Sequence, residues 1–282
     1  MKENDLLQDF IEKALAEDVG PGDFTSLACI PADSQSKAQL LVKDVGVVAG
    51  VRVAKAIFKQ VDPNANFVQH IEDGTHVHIG DVVFEVSCNT QALLKAERLV
   101  LNTMQRMSGI ATLSNRFHFE VEDLNVKILD TRKTTPLIRF LEKEAVELGG
   151  CHNYRNGLYD RFMIKDNHVD ACGSLRSAIE KVVAYNEQHQ LGLEITVEVR
   201  NLVELYEVLE VGKVHRIMLD NFEVQLLEEA VAIVQQRFET EASGGINIHN
   251  VRRYAKTGVD FISVGALTHS ATSLDLSLKI QK

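Results

Sequence analysis

From residue 126 onward the chain alternates short apolar runs with amphipathic stretches, and this alternation limits the fold more than any other feature. The apolar runs are VKILDT (126–131), RFMIKD (161–166), EITVEVR (194–200), RIMLDN (216–221), TEASGG (240–245) and VDFISVGA (259–266). Between them lie PLIRFLEKEAVELGG, SLRSAIEKVVAYNEQ, LVELYEVLEVG, EVQLLEEAVAIVQQRF and NIHNVRRYAKTG, all read as helices. Strands that take turns with helices at this interval form a parallel sheet. Their length fits an α/β barrel or part of one, and no GxGxxG signature of a dinucleotide-binding sheet occurs.

The first third of the chain is mixed. A helix over about 4–17 is expected to stop at the turn EDVGPGDFTS. SKAQLLVKD and GVVAG read as strands, VRVAKAIFKQV as a helix, and FVQHIEDGTHVHIGDVVFEVS as short antiparallel strands turning at Asp73-Gly74 and Gly80-Asp81. Part of that last stretch is similar to the small barrel of biotinyl and lipoyl carriers, but it lacks their modifiable lysine at a hairpin tip. His76 and His78 alternate onto one strand face with no third ligand nearby, so they read as solvent-facing. A long helix follows from Asn89 or Thr90, with a break expected at Ser108-Gly109. Within it, Arg98 reads either as a solvated partner of Glu97 or as an arginine presented to a site.

A formal net charge of -10 argues against a general nucleic-acid or anionic-membrane surface, so any anion site must be a local basic pocket. The four cysteines form no CxxC pair and no metal-ligand spacing, and the amphipathic start is neither a secretion signal nor a membrane span. A cytoplasmic protein is expected.

Active sites of parallel α/β barrels lie at the C-terminal ends of the strands. Those ends here carry Thr131-Arg132-Lys133, Lys165, Glu198, Asp220, Ser243-Gly244-Gly245 and Gly265. Thr135 and Pro136 read as the start of a helix, which would set Arg132 and Lys133 beside a positive helix end, a poor arrangement unless an anion fills the gap. Ser-Gly-Gly at one strand end and Val-Gly-Ala at the next match the phosphate site formed late in such barrels, with His269 as a further donor. Glu198 and Asp220, among these cations, suit Mg2+ or sugar hydroxyls better than the raised-pKa acid of a glycosidase. The inventory is a phosphate pocket, two carboxylates, and spare arginines and lysines for further anions.

The ordered motifs ERLVLNTMQRMSGIAT, LDTRKTTP, GGCHNYRNGLYDRFMIKDNH, MLDNF, SGGI and VGALTHS resemble those of the quinolinate phosphoribosyltransferases over nearly the whole chain. The resemblance implies an N-terminal α/β sandwich domain over 1–110, with the tail 270–282 packing back on it, and an incomplete parallel α/β barrel over 111–269. It implies transfer of the phosphoribosyl group of phosphoribosyl pyrophosphate to quinolinate with loss of CO2, in NAD biosynthesis, by a homodimer with shared active sites. It further implies that Arg132, Arg155, Lys165 and the neighbouring subunit's copy of Arg98 meet the quinolinate carboxylates, and that Tyr154 lines the pocket. Lys133 would face pyrophosphate. Glu198 and Asp220 would lie near the ribose and a Mg2+ held mainly by substrate. Ser243, Gly244, Gly245 and Gly265 would take the 5′-phosphate, with His269 close by. Many relatives carry histidine where this chain has Tyr154, and Arg161 reads as peripheral. A paralogue of the same fold acting on another phosphoribosyl acceptor is the alternative enzyme.

Overall fold

The structure is a computed structural model that describes residues 3–281. The chain forms two compact units: residues 1–115, 134–150 and 267–282, and residues 116–133 and 151–266. Segment 134–150, which the expected boundary gave to the barrel, therefore belongs to the first unit.

In the first unit the strands are β1 (Gln35–Val42), β2 (Gly46–Val47), β3 (Asn66–Gln69), β4 (His76–Val77) and β5 (Val82–Asn89). The second unit contributes β6 (Lys127–Leu129), β7 (Phe162–Ile164), β8 (Ile195–Val199), β9 (Arg216–Asp220), β10 (Glu239–Ser243) and β11 (Phe261–Ser263). The last strand, β12 (Leu276–Ile280), returns to the first unit and pairs antiparallel with β1, giving the sheet order β12-β1-β5-β3. Ala38, Leu40 and Val42 on β1 and Phe84 and Val86 on β5 are fully buried, whereas Gln35 and Lys37 are exposed, the period-two pattern of a sheet with one covered face.

Three local expectations needed correction here. The stretch after Gly22 is not all turn: Phe24–Cys29 is helical, because the Asp23 carboxylate accepts the Ser26 N–H at 3.1 Å and caps it. The helix Thr90–Val121 runs unbroken through Ser108-Gly109. Gly109 is there for room: a Cβ would lie 2.0 Å from the Thr272 carbonyl oxygen. Ser108 turns inward, its hydroxyl accepting the Ala49 N–H at 2.9 Å. The helix after Thr90–Val121 starts at Arg139, not at Pro136, and the Thr135 N–H and hydroxyl donate instead to buried Glu142, at 3.0 and 2.8 Å. His76 and His78 are exposed.

In the second unit all six strands are parallel, in the order β6-β11-β10-β9-β8-β7. The sheet does not close; β6 and β7 are its outermost strands. Strand β8 is buried at every residue, yet it alternates Ile195, Val197 and Val199 with Thr196 and Glu198. Strand β9 likewise alternates Ile217 and Leu219 with Arg216, Met218 and Asp220, and β10 sets Ala242 between Glu241 and Ser243. One face of the sheet is therefore aliphatic, against helices such as Leu202–Val211, and the other is polar. A parallel sheet covered on both faces normally reads as near-continuous aliphatic runs. The polar face is the departure, and the site is built on it.

Candidate active site

Parallel register sets the polar positions side by side. Ser243 pairs with Asp220, and the last residue of β7 pairs with Val197, so Lys165 emerges next to Glu198. The Lys165 ammonium forms an ion pair with the carboxylate of Glu198, a residue that is only 8% exposed. The Lys165 backbone N–H donates to His168 Nδ1 at 3.0 Å, so His168 fastens the turn that carries the lysine. Asp220 accepts two hydrogen bonds at 2.6 Å, from the Ser243 hydroxyl and from the Asn221 side-chain amide.

The Ser-Gly-Gly loop is built around that contact. The Asn221 N–H donates to the Ser243 carbonyl at 2.9 Å. Gly244 has φ +91°, and a Cβ there would lie 2.2 Å from Asn221 Oδ1; Gly245 has φ +64° with open space around it. Both positions favour glycine by conformation, and the first also by close approach. Gly265 follows β11 by two residues, at the same end of the sheet.

Arg132 and Arg155 supply the cations. Arg132 Nε is buried without a hydrogen-bond partner, and neither guanidinium has an acidic ion-pair partner among the described residues. Burial, and then the charge of Arg132, push the pKa of Arg155 down. Lys133 is exposed, its N–H held by the Thr131 hydroxyl at 3.1 Å. The helix expected to open at Thr135-Pro136, just after Arg132 and Lys133, begins instead at Arg139.

Tyr154 lies inside the polar face. Its hydroxyl is 2.7 Å from the Thr196 hydroxyl, and its ring sits under the guanidiniums of Arg216 and Arg161, 4.8 and 5.2 Å away. Burial pushes its hydroxyl up to about 12. Arg216 in turn holds Glu239 at 2.9 Å and fully buried Glu241 at 3.1 Å, and Arg161 pairs with Glu194. Burial raises the Glu241 pKa, against Ser263 and Arg216, which pull it down. A cavity of about 370 Å3 opens where the strands begin, lined by Lys127, Tyr154, Arg155, Arg161, Arg216 and Phe261.

Arg132, Lys133, Tyr154, Arg155, Lys165, Glu198, Asp220, Ser243, Gly244, Gly245 and Gly265 all belong to the second unit; within it Lys165 contacts Glu198 and Asp220 contacts Ser243, whereas Tyr154 and Arg155 line the cavity at the strand starts. Arg98 and His269 belong to the first unit. Both are exposed, and His269 Nδ1 lies 2.7 Å from the Ser270 hydroxyl. Sequence reasoning missed Asp130, Thr196, Arg216 and Glu241. The last three were readable, because each lies two or four residues before a recognised rim residue on the same strand and so shares its face.

Two family models match: the N-terminal domain of quinolinate phosphoribosyl transferase over residues 23–108 and its C-terminal domain over 110–279. Tobacco quinolinate phosphoribosyltransferase [decarboxylating] 1b is 45% identical, over 97% of this chain and 82% of the relative. The Bacillus subtilis protein named probable nicotinate-nucleotide pyrophosphorylase [carboxylating] is 39% identical, over 97% and 93%. Among solved structures, NadC from Streptococcus pyogenes superposes with a TM-score of 0.91 at 36% identity, over 98% of this chain and 97% of that one. With both domains matched and relatives this similar over nearly the whole chain, the chain belongs to the quinolinate phosphoribosyltransferase family.

Proposed function

We propose that the protein transfers the phosphoribosyl group of phosphoribosyl pyrophosphate to the ring nitrogen of quinolinate, giving nicotinate mononucleotide, pyrophosphate and CO2 in de novo NAD synthesis. The observation that carries the reading is the pair Arg132 and Arg155, partly buried, mutually repelling and with no acid in ion-pair contact among the described residues. A ligand with two carboxylates removes that repulsion and fills both positions with bidentate pairs. Lys165 offers a third cation once substrate competes with Glu198 for it.

In this reading Ser243, Gly244, Gly245 and Gly265 take the 5′-phosphate, aided by His269. Lys133 draws off charge from the departing pyrophosphate. Glu198 and Asp220 accept the ribose hydroxyls and face the positive charge that develops at the sugar as pyrophosphate leaves. The pyridine nitrogen attacks with its own lone pair, so no residue has to act as general base. Its positive charge after attack then stabilises the anion left at the ring carbon as the adjacent carboxylate departs as CO2, and a proton taken up from solvent at that carbon completes nicotinate mononucleotide. Holding the two substrates in line supplies much of the acceleration.

Mg2+ fits as an ion carried in on the pyrophosphate. Among the described residues no group of three His, Cys, Asp or Glu side chains could hold a metal, and both Asp220 oxygens already accept hydrogen bonds. Mg2+ is commonly held by one or two carboxylates plus substrate phosphates, and it would neutralise the leaving group. The working enzyme in this reading is a homodimer, with Arg98 of one protomer completing the site of its partner; the exposure of Arg98 supports it. The cytoplasm is the compartment assigned, supported by four cysteines that are free thiols. No helix among the described residues is long and apolar enough to cross a membrane.

The test is a steady-state assay with quinolinate, phosphoribosyl pyrophosphate and Mg2+, following pyrophosphate, CO2 and nicotinate mononucleotide. Stoichiometric formation of all three is expected. Turnover with another acceptor but none with quinolinate overturns the reading in favour of a paralogous transferase.

A further inference from the structure

Residues 151–154 run alongside β6 and fill part of the gap at that edge of the open sheet. The His152 N–H donates to the Ile128 carbonyl at 2.9 Å and the Asp130 N–H to the His152 carbonyl at 3.0 Å, with Leu129 and His152 bridged in parallel. In a regular parallel ladder the next bond would run from the Tyr154 N–H to the Asp130 carbonyl. It does not. The Tyr154 N–H donates instead to the Asp130 side-chain carboxylate, at 2.8 Å. A fully buried carboxylate is thereby inserted between two chains that would otherwise continue to pair. Immediately beyond this point stand Arg132, two residues after Asp130, and Arg155, one residue after Tyr154.

We infer that Asp130 is a positioning residue, a spacer whose carboxylate parts the two chains and so fixes the separation of Arg132 and Arg155. The inference rests on the proposed function and deepens it by naming what sets the match to a dicarboxylate. A substrate with two neighbouring carboxylates needs two guanidiniums at one separation, whereas a monocarboxylate needs only one. The bond from the Tyr154 N–H is charge-assisted, so it is stronger than the backbone bond it replaces. It also opposes the mutual repulsion of two partly desolvated guanidiniums, which would otherwise move the loops that carry them.

The experiment compares wild type with Asp130→Ala, Asp130→Asn and Asp130→Glu in the full-length protein, measuring KM for each substrate, kcat and the thermal midpoint. Asn keeps an acceptor at the same length, Ala removes it and Glu lengthens it by one methylene. Asp130→Ala is expected to raise the quinolinate KM on the order of 100-fold, the scale of a 1 Å misplacement, with the phosphoribosyl pyrophosphate KM within about threefold of wild type. Asp130→Asn should recover most of the loss. Equal losses in Ala and Asn, or KM values for both substrates rising together with a falling thermal midpoint, would make Asp130 a structural residue only and overturn the inference. If the Ala variant does not fold, Asp130→Glu decides: a selective rise in quinolinate KM supports the spacer, and an unchanged one refutes it. A wild-type protein that forms no pyrophosphate from quinolinate refutes the functional reading itself. An active wild type whose Ala variant keeps its quinolinate KM refutes the role of Asp130 alone.

Discussion

Gly244→Ala, set beside Gly245→Ala, tests the reading of the phosphate loop, because the two glycines differ in one respect. Both have positive φ, +91° and +64°, so an added Cβ costs each about 1–2 kcal/mol of backbone strain. At Gly245 nothing lies within 4 Å, and the cost should end there. At Gly244 the new Cβ would sit 2.2 Å from Asn221 Oδ1 and 2.9 Å from its backbone nitrogen. The Asn221 side chain must then leave the 2.6 Å hydrogen bond it donates to Asp220. Losing a bond to a charged acceptor adds about 1.5–3 kcal/mol. Gly244→Ala should therefore cost roughly 3–5 kcal/mol in all, against 1–2 for its neighbour. At about 2–4 °C per kcal/mol, calorimetry should place the Gly244 variant roughly 6–20 °C below wild type and the Gly245 variant less than about 8 °C below it. The KM for phosphoribosyl pyrophosphate should rise far more in the first than in the second, with the quinolinate KM little changed. Asn221→Ala in the Gly244→Ala background removes the 2.2 Å side-chain clash, leaving only the 2.9 Å approach to the backbone nitrogen, so the double variant should be more stable than additivity allows. Equal midpoints for the two glycine variants, or strict additivity in the double variant, would refute the argument that close approach, rather than φ alone, requires Gly244.

Arg155→Ala should lower kcat/KM for quinolinate by about 100-fold or more while changing nicotinate binding less than about tenfold, because only the dicarboxylate needs the second guanidinium; competition binding with both ligands measures this. Tyr154→Phe removes the 2.7 Å contact with Thr196 and should cost about 1 kcal/mol at pH 7. The Tyr154 hydroxyl is raised to about 12, so folding favours its protonated form. That contribution is intact below the ordinary pKa near 10 and is lost as pH rises from 10 towards 12, so denaturant titrations should show the gap between wild type and Tyr154→Phe narrowing over that range. With thiols pushed up to about 11 and about 12, Cys88 and Cys151 should resist iodoacetamide at pH 8, whereas exposed Cys29 is modified; peptide mass spectrometry reads the difference.

The parallel sheet was legible because each strand carries its own apolar run between amphipathic helices, a signal that does not depend on distant residues. The rim residues followed from strand polarity: once the strand ends are known, Lys165, Asp220 and Ser243 need no further information. What failed depends on contacts far apart in sequence. Gly109 read as a break because nothing local shows that the Thr272 carbonyl packs against it. The helix expected from Thr135-Pro136 starts later because buried Glu142 captures the Thr135 N–H and hydroxyl first. Tyr154 stands out in the sequence only by likeness to histidine-bearing relatives, and it lines the cavity beside Arg155. Its placement among Thr196, Arg161 and Arg216 depends on three separate segments of the chain meeting, which no local pattern encodes.

The return of β12 to β1 has a consequence for how the chain is made. The second unit is an insertion: its last strand ends at Ser263, while the sheet of the first unit needs Leu276–Ile280, which follows it in the chain. On the ribosome the six parallel strands can all be present while β1 still has an unpaired edge, and such edges recruit other chains. The first unit to begin emerging is thus the last that can be finished. A nascent chain stalled just short of Leu276 should accordingly be a more aggregation-prone species than one that includes β12, although it already holds every residue assigned to the site.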